Sequence, residues 1–362
     1  MARLWHTGPM QERFATHLIA WQRRHGRHDL PWQGSREPYA VWLSEIMLQQ
    51  TQVETVIPYY QRFRARLPEV AALAAASEEE VLALWSGLGY YSRARNLHKA
   101  AKIIVQDFGG IFPREFDQIM SLPGIGRSTA AAIAAFAFGE RRAILDGNVK
   151  RVFCRLFGVE GWPGEKPVEN RLWALADSLL PSHDLGAYTQ GLMDLGATLC
   201  RRSKPACVVC PFSEECVANR QGRQAELPTA RPRKALPERH TAMLLLLHAG
   251  EILLEKRPPT GIWGGLWSLP ECPTEADPAD CARRLGFEAQ ALRPLPKLTH
   301  TFTHFRLHIQ PQPLSVVRRP TKMNEPGRLW LPLADACEAA LPTPVRKLIE
   351  QLEAANGASQ TP

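Results

Sequence analysis

Cys200-Arg201-Arg202-Ser203-Lys204-Pro205-Ala206-Cys207-Val208-Val209-Cys210-Pro211-Phe212-Ser213-Glu214-Glu215-Cys216 sets four thiols in the pattern C-x6-C-x2-C-x5-C. Four thiolates this close in sequence can wrap one soft metal centre, either zinc or an iron–sulfur cluster. Four merely buried cysteines is the weaker reading, because these four are half of the chain's eight. Structural zinc sites usually pair two tight knuckles. Here only Cys207 and Cys210 form one, and the unequal gaps on either side favour a [4Fe–4S] centre. The loop between the first two ligands carries Arg201, Arg202 and Lys204. A centre that projects these cations outward suggests a phosphate-binding loop.

The rest of the chain sits comfortably around such a centre. At 362 residues it predicts two domains, each able to bury a core of its own. The net charge of +8 and pI near 9.2 are weak signs of nucleic-acid binding, in agreement with the cysteine loop. No apolar run reaches membrane-spanning length; Ala130–Phe138 is too short. The first residues lack the apolar stretch of a signal peptide, and cysteines placed as ligands fit a reducing compartment. These features predict a soluble cytoplasmic protein with no membrane partner.

Up to about residue 224 the hydrophobic periodicity is helical throughout, with no strand-like alternation. Helices are expected over 1–28, from Tyr39 to about Leu67 with a break near Pro58, and over Glu78–Trp85, Ala94–Phe108, Glu115–Met120 and Val149–Phe157. The basic stretch Arg23-Arg24-His25-Gly26-Arg27-His28 reads as a solvated helix end. Residues 225–238 form a linker rich in proline and basic residues, Arg231, Arg233 and Lys234 among them. Beyond it, residues 239–355 read as an α+β domain. Thr241–His248 and Glu251–Lys256 make a hairpin about Ala249-Gly250, with strands at Leu298–Pro313 and helices near Asp277–Leu285 and Pro344–Ala355.

Three further stretches carry chemistry. Leu122-Pro123-Gly124-Ile125-Gly126-Arg127-Ser128-Thr129-Ala130 joins two helices, and Gly124 and Gly126 let bare N–H groups gather at the second helix's N-terminus, a site for a phosphate oxygen. In Ile144-Leu145-Asp146-Gly147-Asn148, Asp146 can cap the next helix, stabilise a sugar cation, or do both. In the helix Tyr39–Gln52, Glu45 is the only acid and is flanked one turn away by Val41, Trp42, Leu48 and Gln49. A carboxyl in apolar surroundings favours its protonated form, which suits a general acid. A salt-bridged or solvent-exposed Glu45 is the competing reading, and periodicity does not choose between them.

Taken in order, Leu43-Ser44-Glu45, Gly87-Leu88-Gly89-Tyr90-Tyr91, the Leu122–Ala130 hairpin, Leu145-Asp146-Gly147-Asn148 and the four cysteines resemble the endonuclease III superfamily. Within it the chain resembles the adenine DNA glycosylases (the MutY family), from about residue 10 to the C-terminal domain. The resemblance implies an all-α helix–hairpin–helix domain over 1–224 holding a [4Fe–4S] cluster on Cys200, Cys207, Cys210 and Cys216, and a Nudix-like domain over 239–355. It also implies excision of adenine mispaired with 8-oxoguanine or guanine in double-stranded DNA, by base flipping. Glu45 would protonate adenine N7 and Asp146 would stabilise the oxocarbenium-like sugar, with Asn148 in support. Gln50, Thr51, Leu88 and Tyr90 would wedge into the stack or contact the opposite base. Gly124, Gly126, Arg127 and Ser128 would hold the backbone, and Asp194 would help read adenine.

Bifunctional members of the superfamily carry a lysine after the hairpin that attacks the sugar; this chain has Ser128 there, which implies a monofunctional enzyme. In the second domain Gly264-Gly265-Leu266-Trp267-Ser268-Leu269-Pro270 resembles a Nudix marker, but the glutamate-rich helix that binds magnesium in Nudix hydrolases is absent. Thr303 and His304 match the family's 8-oxoguanine reader, while His300 and His308 read as the polar face of a strand. Two other readings compete: an endonuclease III-like glycosylase/lyase for oxidised pyrimidines, which Ser128 and the extra domain oppose, and a non-enzymatic iron–sulfur DNA-binding regulator.

Overall fold

A computed structural model describes residues 8–232, 235–318 and 327–358, so Arg233 and Lys234 of the linker lie outside the described residues. The chain forms two compact units. One comprises Met1–Ala75 with Asn96–Arg233, and the other Ala76–Arg95 with Lys234–Pro362. Residues 76–95, which precede the linker by well over a hundred positions, therefore belong with the C-terminal sheet and not with the helices on either side of them in sequence.

The first unit is all-α, as its periodicity predicts. It contains α1 (Gly8–His25), α2 (Pro38–Leu48), α3 (Val53–Arg66) and α4 (Val70–Ala75). The second unit claims α5 (Glu78–Trp85). The helix α6 spans Ser92–Phe108, followed by α7 (Phe116–Ser121), α8 (Arg127–Phe138), α9 (Gly147–Phe157), α10 (Lys166–Ser178), α11 (Leu185–Asp194) and the single turn α12 (Val217–Arg220). The expected break near Pro58 falls earlier. Pro58 sits inside α3, and the chain turns between α2 and α3, where Gln50 takes a φ of 59°. One missing N–H is tolerated within a helix that packs Val56, Tyr60 and Phe63 into the core, whereas a left-handed residue cannot be.

The core of this unit gathers α1, α9, α11 and the cysteine segment. Phe14 stacks on Phe212 at 4.8 Å and meets Phe153, Phe157 and Tyr188 at tilted or edge-on angles. Since Phe212 lies between Cys210 and Cys216, burying it anchors the cysteine loop to the core. Cys200, Cys210 and Cys216 pack against the same cluster.

The second unit is built on an eight-stranded sheet, of which the central order is β3-β2-β1-β7-β5. Here β1 is Glu238–His248, β2 Glu251–Lys256, β3 Trp267–Ser268, β4 Glu271–Cys272, β5 Glu288–Ala291, β6 Leu298–Thr301, β7 Arg306–Arg318 and β8 Arg328–Pro332. The expected hairpin closes at Ala249 and Gly250, both with positive φ, the two-residue turn whose twist suits antiparallel strands. By contrast β1 and β7 run parallel over ten registered pairs. The helices α13 (Pro278–Arg284), α14 (Leu333–Ala336) and α15 (Thr343–Ala358) complete the unit. The strands β3, β4, β5 and β8 escaped sequence reading because they are short, and two to five residues cannot display a period. Among the described residues no helix is long and apolar enough to cross a membrane.

Candidate active site

A cavity of about 410 Å³ opens in the helical unit, with Ser44, Glu45 and Leu48 of α2 on one wall and Gln190 and Met193 of α11 on another. Glu45 keeps an edge on this cavity, whose apolar members Leu30, Trp32, Val41, Leu48 and Phe136 come largely from outside α2 and remove most of the solvation an ionised carboxylate needs. Burial, with a smaller contribution from the charge of Asp146, pushes the Glu45 pKa up to about 8.

Asp146 is both things its position in sequence allowed. It is the N-cap of α9, its Oδ1 accepting the Val149 N–H at 2.8 Å, and its Oδ2 accepts from Asn148 Nδ2 at 3.3 Å. Burial raises its pKa, opposed by these hydrogen bonds and by the charge of Arg151. The two carboxyls are near enough for one charge to act on the other, yet their surroundings differ. Glu45 has apolar neighbours, and Asp146 has donors. Burial raises both pKa values, and only at Asp146 do hydrogen bonds and a neighbouring cation offset part of that effect.

Arg151 carries the Asp146 end of the site to the cysteine loop. Its guanidinium donates to Asn148 Oδ1 and Gly196 O, each at 2.8 Å, and to Cys200 O at 2.7 Å. The neighbouring Arg155, buried, donates to the carbonyls of Arg201, Arg202 and Leu227 and approaches Cys200 Sγ at 3.5 Å, while its own carbonyl accepts from Cys216 Sγ. Burial pushes the Cys210 thiol up to about 11, and the other three cysteines add to that effect. The four sulfurs thus share one electrostatic neighbourhood. Four cysteines in electrostatic reach of one another fit the thiolate donor set that an iron–sulfur cluster or a zinc ion takes.

The hairpin presents Gly124 at a φ of 82°, where a side chain would meet Asn96 Cβ at 2.9 Å. Gly126 is the N-cap of α8 without a side-chain partner, so the helix's first N–H groups face outward. The exposed Arg127 lies over the Trp173 ring at 3.8 Å and pairs with Asp177. Ser128 turns the other way, its Oγ accepting the Leu145 N–H at 2.9 Å, one residue before Asp146. Gln50 is exposed and Thr51 partly so, and Gln49 ties the end of α2 to Thr129 at 3.3 Å. Lys150 Nζ is held by Glu169 at 2.8 Å.

Asp194 is fully buried. Its oxygens accept from the Arg27 backbone N–H at 2.9 Å, Arg27 Nε at 2.7 Å and Gln190 Nε2 at 2.8 Å. Arg27 and Gln190 both line the cavity, so Asp194 acts on it through them. The expectation that Arg27 belongs to a solvated helix end is corrected here. Its partner lies 167 residues away, and local sequence holds no trace of it.

The sheet unit has a cavity of its own, of about 890 Å³, lined by Tyr90, Trp263, Phe302, Thr303 and His304 among others. Tyr90, at a φ of 50°, is 47% exposed, whereas Leu88 is buried. The turn bearing them is braced by buried Arg93, whose guanidinium packs against the Trp85 and Tyr90 rings and donates to Gly89 O at 3.1 Å. Ser86 Oγ and Tyr91 Oη both donate to Leu341 O, which is why residues 76–95 join this unit. Thr303 and His304 sit at the exposed turn between β6 and β7, the Thr303 hydroxyl 3.4 Å from His304 Nδ1, above a stacked Phe302–Phe305 pair.

A model of the HhH-GPD superfamily of base excision DNA repair proteins matches residues 43–178, and a NUDIX domain model matches residues 241–351. Over 345 residues the chain is 36% identical to the adenine DNA glycosylase of Buchnera aphidicola subsp. Acyrthosiphon pisum, covering 94% of this chain and 97% of that one. The chain belongs to the adenine DNA glycosylase family. It is thereby a DNA glycosylase, an enzyme of base-excision repair. The adenine DNA glycosylase of Mus musculus is 34% identical over 401 residues, with 94% of this chain and 78% of that one covered. Among solved structures a thermostable thymine-DNA glycosylase matches at a TM-score of 0.52 and 29% identity, over 59% of this chain and 98% of its own. That match reaches only part of the chain, whereas the two adenine DNA glycosylases extend over nearly all of it.

Proposed function

We propose that this glycosylase hydrolyses the N-glycosidic bond of adenine mispaired with 8-oxoguanine or guanine in duplex DNA, leaving an abasic site in an uncut strand. The observation that carries the reading is Glu45, a buried carboxyl on the wall of the cavity whose pKa is pushed up to about 8, with Asp146 near enough for its charge to act on it. Adenine is a poor leaving group until a ring nitrogen is protonated. Glu45, with its pKa at about 8, still holds a proton at neutral pH and can deliver it to N7. Asp146, supplied with the Val149 and Asn148 donors, is the anion that stabilises the positive charge developing on the sugar. Asn148 and Arg151 keep that carboxylate oriented.

A flipped adenine enters the 410 Å³ cavity, where Arg27 and Gln190, aimed by Asp194, meet its edge. Gly124, Gly126 and Arg127 bind the strand's phosphates, the helix N-terminus supplying the N–H donors. Gln50, Thr51 and Tyr90 contact the opposite base, and Thr303 with His304 discriminates 8-oxoguanine from guanine. Cys200, Cys207, Cys210 and Cys216 would hold a [4Fe–4S] cluster, whose contribution is to fold the basic loop Arg201–Lys204. Lys150 is tied to Glu169, and Ser128 has no amine to form an imine, which supports a hydrolytic, monofunctional reaction. A DNA substrate places the enzyme in the cytoplasm, at the nucleoid.

The experiment is single-turnover incubation with labelled duplexes holding 8-oxoguanine:A, G:A or thymine glycol, resolved on denaturing gels with and without alkali. Alkali-dependent cleavage at adenine in the first two duplexes is expected. Cleavage at thymine glycol alone, or none in any duplex, overturns the reading.

A further inference from the structure

We infer that Glu238, His240 and His308 form a binding site for a divalent transition ion of the zinc class, independent of both the cysteines and the excision chemistry. The placement follows from the parallel pairing of β1 and β7, which sets His240 directly beside His308 and Glu238 beside Arg306. Side chains alternate along a strand, so Glu238 and His240, two residues apart, share one face, and His308 shares it with them from the neighbouring strand. One donor atom from each residue lies within 4.8 Å of the other two, and among the described residues no other trio of potential ligands converges so closely.

The donors are presented as ligands. His308 Nε2 is buried and makes no hydrogen bond, although Glu238 Oε2 stands 3.5 Å away. On the other side of the ring Nδ1 is 3.0 Å from Thr299 Oγ1, on β6. If Nδ1 carries the proton and donates it to that hydroxyl, Nε2 is left with a bare lone pair facing Glu238 and His240. Fixing the tautomer through the far nitrogen is how a metal-binding imidazole is commonly oriented. A buried ring nitrogen without a partner is costly, and an ion removes the cost. The carboxylate is divided in the same sense. Oε1 of Glu238 accepts from Arg306 Nη1 at 2.9 Å, leaving Oε2 for the ion. The rings of His240 and His308 are 4.8 Å apart and nearly parallel, so binding requires small side-chain rotations to bring both nitrogens to about 2.1 Å from one ion. His240 is exposed and can make that movement. The carboxylate of Glu275, whose charge also faces His240, supplements the negative field.

Two imidazoles and one carboxylate favour zinc and its neighbours over magnesium or calcium, which take oxygen ligands. Three protein ligands leave a coordination position open to water. The ion would clip the first strand after the linker to the base of β7, whose preceding turn carries Thr303 and His304.

The test uses the full-length protein with its cysteine centre intact, freed of loose metal by dialysis against EDTA and titrated calorimetrically with ZnCl2, then separately with MgCl2. The expected result is one more equivalent of zinc bound by the wild type than by a His240→Asn/His308→Asn variant, at least tenfold weaker binding at that site in Glu238→Gln, and no magnesium binding at equal concentration. Because His308 is partly buried, the single His240→Asn variant is measured beside the double one, with metal-free melting curves to verify its fold. Equal zinc stoichiometry and affinity in wild type and His240→Asn would assign the uptake to thiols or the general surface and overturn the inference. Equal uptake of magnesium would overturn it as well.

Discussion

The sharpest expectation concerns Glu45 and pH. An ordinary glutamate with the reference pKa of 4.5 is protonated in only about 0.3% of molecules at pH 7, whereas a pKa of about 8 keeps about 90% in the acid form. Burial therefore enlarges the competent population by a factor on the order of 300, equivalent to roughly 3 kcal/mol of barrier at neutral pH. Single-turnover excision from a preformed complex should be flat through neutrality and fall about tenfold per unit above pH 8. Its acidic limb should be set by protonation of Asp146, above the ordinary carboxylate range. Glu45→Gln should abolish excision while duplex binding survives. The same substitution also has a predictable effect on stability. With its folded pKa above the unfolded value, Glu45 makes the native state bind the extra proton between pH 4.5 and about 8, so the wild type loses stability as pH rises through that window and levels off beyond it. The amide of the variant titrates nowhere, so its advantage over wild type should grow across the window to at most about 5 kcal/mol. The assays are rate constants from pH 5 to 10 and urea midpoints of both proteins at pH 5, 7 and 9. An excision rate already falling between pH 5 and 6, together with parallel stability profiles, would refute the argument that burial keeps this carboxyl protonated.

Asp146→Asn should also abolish excision, and the double variant with Glu45→Gln should be no slower than either single one, since both side chains serve one transition state; additive losses measured in single-turnover assays would mean separate steps. Purified protein should be straw-brown with about four irons per chain by metal analysis, while one zinc and no colour would exclude the cluster. Ser128→Lys should introduce some strand cleavage in gels run without alkali. Because it also removes the Oγ acceptor of the Leu145 N–H, its melting point should drop by the equivalent of about 1 kcal/mol. His304→Ala should narrow the rate ratio between 8-oxoguanine:A and G:A duplexes without slowing excision from G:A, and an unchanged ratio would move discrimination to Tyr90.

Much of this protein was legible in the sequence because the relevant information is local. Helical periodicity, the Gly124–Gly126 turn, the Asp146 cap with its reach of three residues, and the spacing of four cysteines each depend on near neighbours. The two-part architecture, helices and then a sheet, followed from a change of period across the proline-rich linker. What the sequence left open was decided by contacts between distant segments. Whether Glu45 is a solvated or a buried acid depends on residues packed from other helices, and α2 by itself allowed both. Arg27 looked solvated until Asp194, buried and 167 positions away, proved to be its partner. Residues 76–95 read as one more helix and turn of the first domain, but the Leu341 carbonyl draws Ser86 and Tyr91 into the sheet unit. His308 read as a strand's polar face, and only the parallel register of β1 and β7 sets it against His240. Propensities and caps act over a few residues and are written along the chain. Desolvation, ion pairing and ligand convergence act through space, and only the folded chain determines them.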